Sequence, residues 1–92
     1  MDNEDQLRVV AVAVRDEKGE VHTLPAPARH HDVIREMASR DLRTMGPDIE
    51  QGFLLSDGRF CRRKPAKRIA EKAGQLLPRA SKLMELFSED VW

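Results

Sequence analysis

Gln51–Arg63 reads QGFLLSDGRFCRR, two short apolar runs on either side of Asp57-Gly58. That dipeptide is a strong signal for a two-residue hairpin turn, because both central positions then take φ > 0. On such a turn Ser56 faces Arg59, Leu55 faces Phe60, Leu54 faces Cys61 and Phe53 faces Arg62. The expected faces are Phe53, Leu55, Phe60 and Arg62 on one side, and Leu54, Ser56, Arg59 and Cys61 on the other. A hairpin that only closes a core needs the aromatics but not the arginines, so the stretch raises a question of binding as well as of fold.

Upstream, Leu7–Arg15 (LRVVAVAVR) is rich in β-branched residues and bounded by charge, as a strand is. Strict alternation places Val10, Val12 and Val14 on one face and Val9, Ala11 and Ala13 on the other. Both faces are apolar, which predicts cover on both sides. Asp16–Gly19 supplies a turn and Glu20–Leu24 a returning strand, after which Pro25 and Pro27 impose an extended connector. Arg29 to about Arg43 is expected to be helical, with Ile34, Met37, Ala38 and Leu42 as its buried stripe, ended by Gly46-Pro47.

Downstream of the hairpin, Pro65 suits the first position of a second helix. Its buried stripe is Ala66, Ile69, Ala70 and Ala73, and Gly74 is a natural C-terminal stop. Ala80–Phe87 is expected to add a helical turn or two. The order ββαββα predicts an α+β fold, a small antiparallel sheet with helices on one side. A chain of 92 residues is read as one domain, 1–92, with residues 1–6 a flexible acidic N-terminus. Few aromatics and the surplus apolar surface of Leu7–Val14 argue for a homo-oligomer.

One cysteine forbids an internal disulfide, and the longest apolar run, Val9–Val14, is far short of the roughly 20 residues of a membrane helix. The acidic first residues do not resemble a secretory or transit peptide, so the expected setting is cytoplasmic, without membrane partners. The net charge of zero hides an asymmetry. Residues 59–82 hold nine basic residues against Glu71 alone, while residues 1–58 hold 7 basic against 12 acidic. So basic a segment binds an anion, or is neutralised by acidic parts of its own fold or of a partner.

Arg29-His30-His31-Asp32 opens the first helix, where outward N–H groups favour anions; the alternative is that Asp32 caps the helix and the histidines only face solvent. Adjacent histidines point about 100° apart on a helix, and no metal-ligand spacing is present, so no metal and no cofactor are expected. No nucleophile–base set, paired carboxylates or phosphate loop is recognisable, and Cys61 is read as a small buried hydrophobe, so no catalytic residue is named. The hairpin arginines and rings suit a phosphorylated purine by guanidinium–phosphate contacts and base stacking. A nucleic-acid grip by Lys64, Lys67, Arg68 and Lys72 is a rival, made improbable by the acidic remainder and the lack of a recognition motif.

ARHHDVI, QGFLLSDGRFCRR, RIAEKAGQ and the terminal LFSEDVW together resemble a family of small phage and prophage proteins, over roughly Val9–Trp92. The chain is similar to the first anti-Thoeris sponge family, whose members sequester the cyclic ADP-ribose signal of TIR-domain defence enzymes without degrading it. Some members also hold cyclic oligonucleotides at a separate site. The resemblance implies a cytoplasmic role in an infected host, assembly from dimers into hexamers and ligand pockets between subunits. It implies ligand-binding roles for Arg29, His30, Gln51, Gly52, Phe53, Arg59, Phe60 and Arg63. Ser88, Glu89, Asp90 and Trp92 match the family's terminal motif and are expected to tie down the tail or face a neighbour. Cys61, Arg62 and Pro65 depart from the family pattern. Two other readings stand beside this one, an inhibitor acting by direct contact with a defence enzyme and a small nucleic-acid-binding regulator.

Overall fold

A computed structural model describes residues 7–92; the flexible acidic segment expected over residues 1–6 lies outside them. The elements are β1 (Val9–Arg15), β2 (Val21–Pro25), α1 (His30–Ser39), β3 (Glu50–Leu55), β4 (Phe60–Arg62) and α2 (Arg63–Lys72), followed by a short 3-10 turn at Ser88–Asp90. The strands form one antiparallel sheet in the order β2-β1-β3-β4. Helix α1 packs over β1 and β2 and helix α2 over β3 and β4. Their buried residues join the strands in one cluster, with Val33 and Met37 from α1 and Ala66 and Ala70 from α2 meeting Val12, Val14, Phe53 and Leu55. The α+β expectation, with helices on one side of an antiparallel sheet, is met.

Strand β1 departs from strict alternation. The pairing with β3 slips between Val9 and Ala11, so Val9 joins Val12 and Val14 on the helix side and Val10 is pushed outward. A bulge inserts one unpaired residue and reverses the side-chain phase beyond it. Ala11 and Ala13 occupy the other face and are buried there, while Val10 is 40% exposed.

The hairpin register differs from expectation by one residue. Gly52 pairs with Arg62, Phe53 with Cys61 and Leu54 with Phe60. The loop has three residues, Ser56-Asp57-Gly58, closed by Leu55 N–H donating to Arg59 O at 2.9 Å. Only Gly58 takes positive φ, +90°, and the Asp57 carboxylate accepts the Arg59 N–H at 3.1 Å. An Asp-Gly pair serves this three-residue loop as well as the two-residue turn. Because side chains alternate, the slip exchanges faces. Phe53, Leu55 and Cys61 lie together in the core; Gly52, Leu54, Phe60 and Arg62 lie on the opposite face. The expected grouping of Phe53 with Phe60 and Arg62 is therefore corrected, as is that of Cys61 with Leu54, although Cys61 is the buried apolar residue foreseen.

Helix α1 is shorter than expected. Its buried positions are His30, Val33 and Met37, while Ala38 is exposed. It ends because Asp41 turns to φ +60°, with Leu42 N–H donating to Met37 O and Asp41 N–H to Ala38 O, both at 3.0 Å. These are the paired bonds of a Schellman stop. Helix α2 ends the same way, with Gly74 at φ +71°, as its sequence suggested. Pro65 is the third residue of α2 instead of the first, still within the turn whose N–H groups need no helical partner. Ala80–Phe87 forms no helix. Leu86 is drawn into the core, its N–H donating to Arg63 O at 3.0 Å, and the Asp90 carboxylate accepts the Ser81 and Phe87 N–H groups, each at 2.9 Å.

Candidate anion-binding cleft

The starts of both helices and the tail enclose a cleft of about 370 Å³ lined by Arg29, His30, His31, Arg63, Phe87, Ser88 and Glu89. Its size falls in the roughly 300–1,000 Å³ range of small-ligand pockets. Helix α1 sets two of its walls. The Asp32 carboxylate accepts the Arg29 N–H at 2.8 Å, and Asp32 N–H donates to Arg29 O at 3.0 Å, so the helix begins with Arg29 turned back toward the tail. Arg29 Nη1 then donates to Ser88 Oγ at 3.2 Å. No described residue accepts from the His30 or His31 N–H, two of the outward amides that make a helix start attractive to anions.

His30 is fixed from beneath. Its Nε2 lies 2.7 Å from the Gly52 carbonyl oxygen. A carbonyl only accepts, so the ring carries its proton on Nε2 and leaves the Nδ1 lone pair free. The ring meets Phe53 edge-on, with centroids 5.0 Å apart and planes at 84°. Burial is the main cause that lowers its pKa to about 4, helped by Arg63 and opposed by the Gly52 bond and Glu89. At neutral pH it is an uncharged ring.

Arg63 forms the opposite wall. Its Nη1 donates to Leu86 O and its Nη2 to Gln51 Oε1, each at 2.7 Å, and its guanidinium lies 4.9 Å from the Phe87 ring centroid. Burial lowers its pKa, with Glu85 and Glu89 pulling it back up. Among the described residues neither Arg29 nor Arg63 forms an ion pair with a carboxylate. Two guanidinium groups thus face a cavity whose one lining carboxylate among the described residues, Glu89, forms an ion pair with neither of them. Arg63 is partly desolvated and held by neutral acceptors, which is the setting in which guanidinium–anion contacts are strongest.

Of the eight site residues expected from the sequence, Arg29, His30 and Arg63 line this cleft. Gln51, Gly52 and Phe53 stand behind them: Gln51 orients Arg63, the Gly52 carbonyl holds His30, and fully buried Phe53 supports the His30 ring. Phe53 is inaccessible to a base, so a stacking role for it is corrected to a supporting one. Arg59 and Phe60 are elsewhere. Arg59 Nε donates to Asp57 Oδ2 at 2.6 Å at the hairpin tip, and Phe60 lies on the outer face with the Arg15 guanidinium 4.6 Å from its centroid. The cleft lies within a single chain, so these groups meet without a second subunit.

Phe87 was absent from the expected site, His31 was named only with the helix-start motif and not among the eight, and Ser88 and Glu89 were assigned only to the tail. The tail is indeed tied down, with Trp92 Nε1 donating to Ala28 O at 3.0 Å and Leu77 N–H to Asp90 O at 2.8 Å. That anchoring brings Ser88 to Arg29, a pairing across 59 residues that no local pattern announces.

One cluster could suggest a metal, since Asp16, Glu20 and His22 place ligand atoms within 4.8 Å of one another. Two of its three groups, Asp16 and His22, are already engaged. The Asp16 carboxylate accepts the Lys18 and Glu20 N–H groups and sits 2.8 Å from His22 Nε2, while Arg40 donates to His22 Nδ1 at 3.0 Å. His22 therefore presents its Nε2 proton to Asp16, while its Nδ1 lone pair accepts from Arg40; the pair locks the β1–β2 turn.

The fold and cleft define a small α+β protein that gathers arginines and imidazoles at two helix starts. The chain belongs to the phage T4 y16D protein family, whose model matches residues 8–92, so it is a small phage-type protein. No curated protein and no solved structure matches it. Among the described residues no helix is long and apolar enough to cross a membrane.

Proposed function

We propose that the protein is a phage anti-defence sponge, which binds a cyclic nucleotide signal of the cyclic ADP-ribose type and keeps it whole. The observation that carries the reading is the pair of guanidinium groups, Arg29 and Arg63, facing one cleft without a carboxylate partner among the described residues. Phosphate oxygens complete both groups and the free amides of the α1 start. Phe87, beneath Arg63, is the ring available to a purine, and Glu89 with the His30 Nδ1 lone pair can accept from ribose hydroxyls. Nanomolar capture corresponds to about −12 kcal/mol. A few charge-assisted hydrogen bonds at about 1.5–3 kcal/mol each, with stacking, reach that range only if the cleft is preorganised. The bonds fixing His30, Arg63 and the tail supply that preorganisation.

The same reading includes self-association through the helix-free face of the sheet, where Val10 and Val21 are exposed, and action in the cytoplasm of an infected cell. The deciding experiment mixes the protein with cyclic ADP-ribose, removes unbound material by filtration, denatures the protein and identifies the released nucleotide by mass spectrometry. Intact ligand in stoichiometric amount is expected. Recovery of a cleaved product, or of no nucleotide, overturns the reading.

A further inference from the structure

Residues 59–82 carry the excess positive charge, and the fold uses only part of it. Arg59 pairs with Asp57, Arg62 with Glu50, and the Lys67 amine donates to Ser81 O at 2.6 Å. Lys64, Arg68, Lys72, Arg79 and Lys82 are exposed and have no ion-pair partner among the described residues. Two of these, Arg68 and Lys82, border a groove of about 510 Å³ between α2 and the chain after it. This groove shares no residue with the cleft described above.

The groove is apolar where the cleft is polar. Leu76, Leu77 and Ala80 are half-buried along it, and Leu83 and Met84 stand 60% and 72% exposed at its edge. Two adjacent large apolar side chains left in water beside a trough are unlike Met45, which is exposed alone in the turn before β3. Contiguous apolar surface with a charged rim marks a recognition surface, and methionine suits one because its side chain adapts to different partners. Among the described residues Glu71 is the single carboxylate lining the groove, against Lys67, Arg68 and Lys82.

We propose that this groove docks an acidic amphipathic segment of another protein, its apolar residues seated on Leu76, Leu77, Leu83 and Met84 and its carboxylates meeting Arg68 and Lys82. The complementarity selects this occupant. A nucleic-acid backbone would satisfy the cations but leave Leu83 and Met84 exposed. An apolar partner without acids would cover the leucines and leave the cations unmatched. An amphipathic segment laid in a groove satisfies both, with the apolar anchors supplying affinity and the rim charges supplying rate and selectivity.

The test is selection of a random sixteen-residue peptide display library on the immobilised protein, followed by fluorescence polarisation with a labelled copy of the enriched peptide. Enriched peptides should combine acidic residues with apolar ones at helical or alternating spacing. Leu83→Ser/Met84→Ser should weaken the labelled peptide at least tenfold, and Arg68→Glu/Lys82→Glu by a similar factor, the latter effect shrinking in high salt. These positions are exposed, so the variants should melt within a few degrees of the parent; Lys82→Glu alone is the fallback should either double variant misfold. The proposal is overturned if no peptide is enriched, or if enriched peptides lack apolar residues. It is equally overturned if Leu83→Ser/Met84→Ser leaves peptide affinity unchanged, if that variant dissociates a dimer seen by light scattering, or if a single-stranded oligonucleotide displaces the peptide and binds that variant undiminished.

Discussion

On the helix side of the β3–β4 hairpin Phe53 is fully buried between His30 and Trp92; on the other side Phe60 is half-buried, with Arg15 above it and Gly52 beneath. The two rings lie one pair apart on the ladder and have opposite duties. The inner ring carries the floor of the cleft, because His30 rests on it and Arg63 lies 6.0 Å from its centroid. The outer ring covers the Gly52 backbone and does not line the cleft. Residues that look equivalent along a hairpin can thus divide between foundation and surface, and the division depends on one residue of register.

The largest expected effect comes from breaking the foundation. Phe53→Ala should cost about 3–5 kcal/mol, as removal of a fully buried phenylalanine does. Gly52→Ala tests the same seam from the other side. An added Cβ would overlap the Cys61 carbonyl oxygen and come within 2.7 Å of Phe60 Cζ. Since one of those atoms is backbone, the ladder must shift, and a loss of about 2 kcal/mol or more is expected from such overpacking. Urea denaturation measures both. A loss below 1 kcal/mol for either would show that the strand pair is not packed as described.

Acid should act next, through His30. The ring titrates at about 4 when folded against 6.5 as a free imidazole, so between those values the unfolded chain binds a proton that the folded chain refuses. The resulting stability is fully present above pH 6.5 and is lost as pH falls toward 4, in total about 3 kcal/mol. His30→Gln keeps an N–H for Gly52 and does not titrate, so its stability should be flat across that window. The lowered carboxyl groups of Asp16, Asp32, Glu50 and Asp57 contribute stability that is present above the ordinary 3.8–4.5 and is lost progressively as pH falls from there through their depressed values. A wild-type curve already flat from pH 6.5 to 4 would show that His30 is not buried as a neutral ring. The smallest effect is assigned to the outer face, where Phe60→Ala should cost about 1 kcal/mol, because that ring is already part-exposed and makes one cation–π contact.

How far the sequence revealed this arrangement depends on whether the deciding contact is local. Gly74 announced the end of α2 because a left-handed residue there favours glycine, whereas α1 ends on Asp41 in the same conformation, which an aspartate does not advertise. The hairpin was legible as a hairpin, but Asp-Gly fits loops of two and of three residues. The better signal was chemical, since a cysteine belongs with Phe53 and Leu55 in a core more readily than an arginine does. Arg29 and His30 were legible as a helix start that favours anions, and Arg63 came from its place beside the hairpin. Phe87 and Glu89 were not, because the tail reaches them to the cleft through Asp90 and Trp92, contacts that local spacing cannot show.

The central claim is that the cleft between the helix starts, and not the outer face of the hairpin, holds the ligand. Calorimetric titration of cyclic ADP-ribose into Arg29→Ala and Phe60→Ala, beside the unaltered protein, tests it most directly. The account predicts that Phe60→Ala binds as the parent does and that Arg29→Ala loses about 2–3 kcal/mol, a hundredfold or so in affinity, through the missing charge-assisted contact. Undiminished binding by Arg29→Ala together with loss in Phe60→Ala would contradict it.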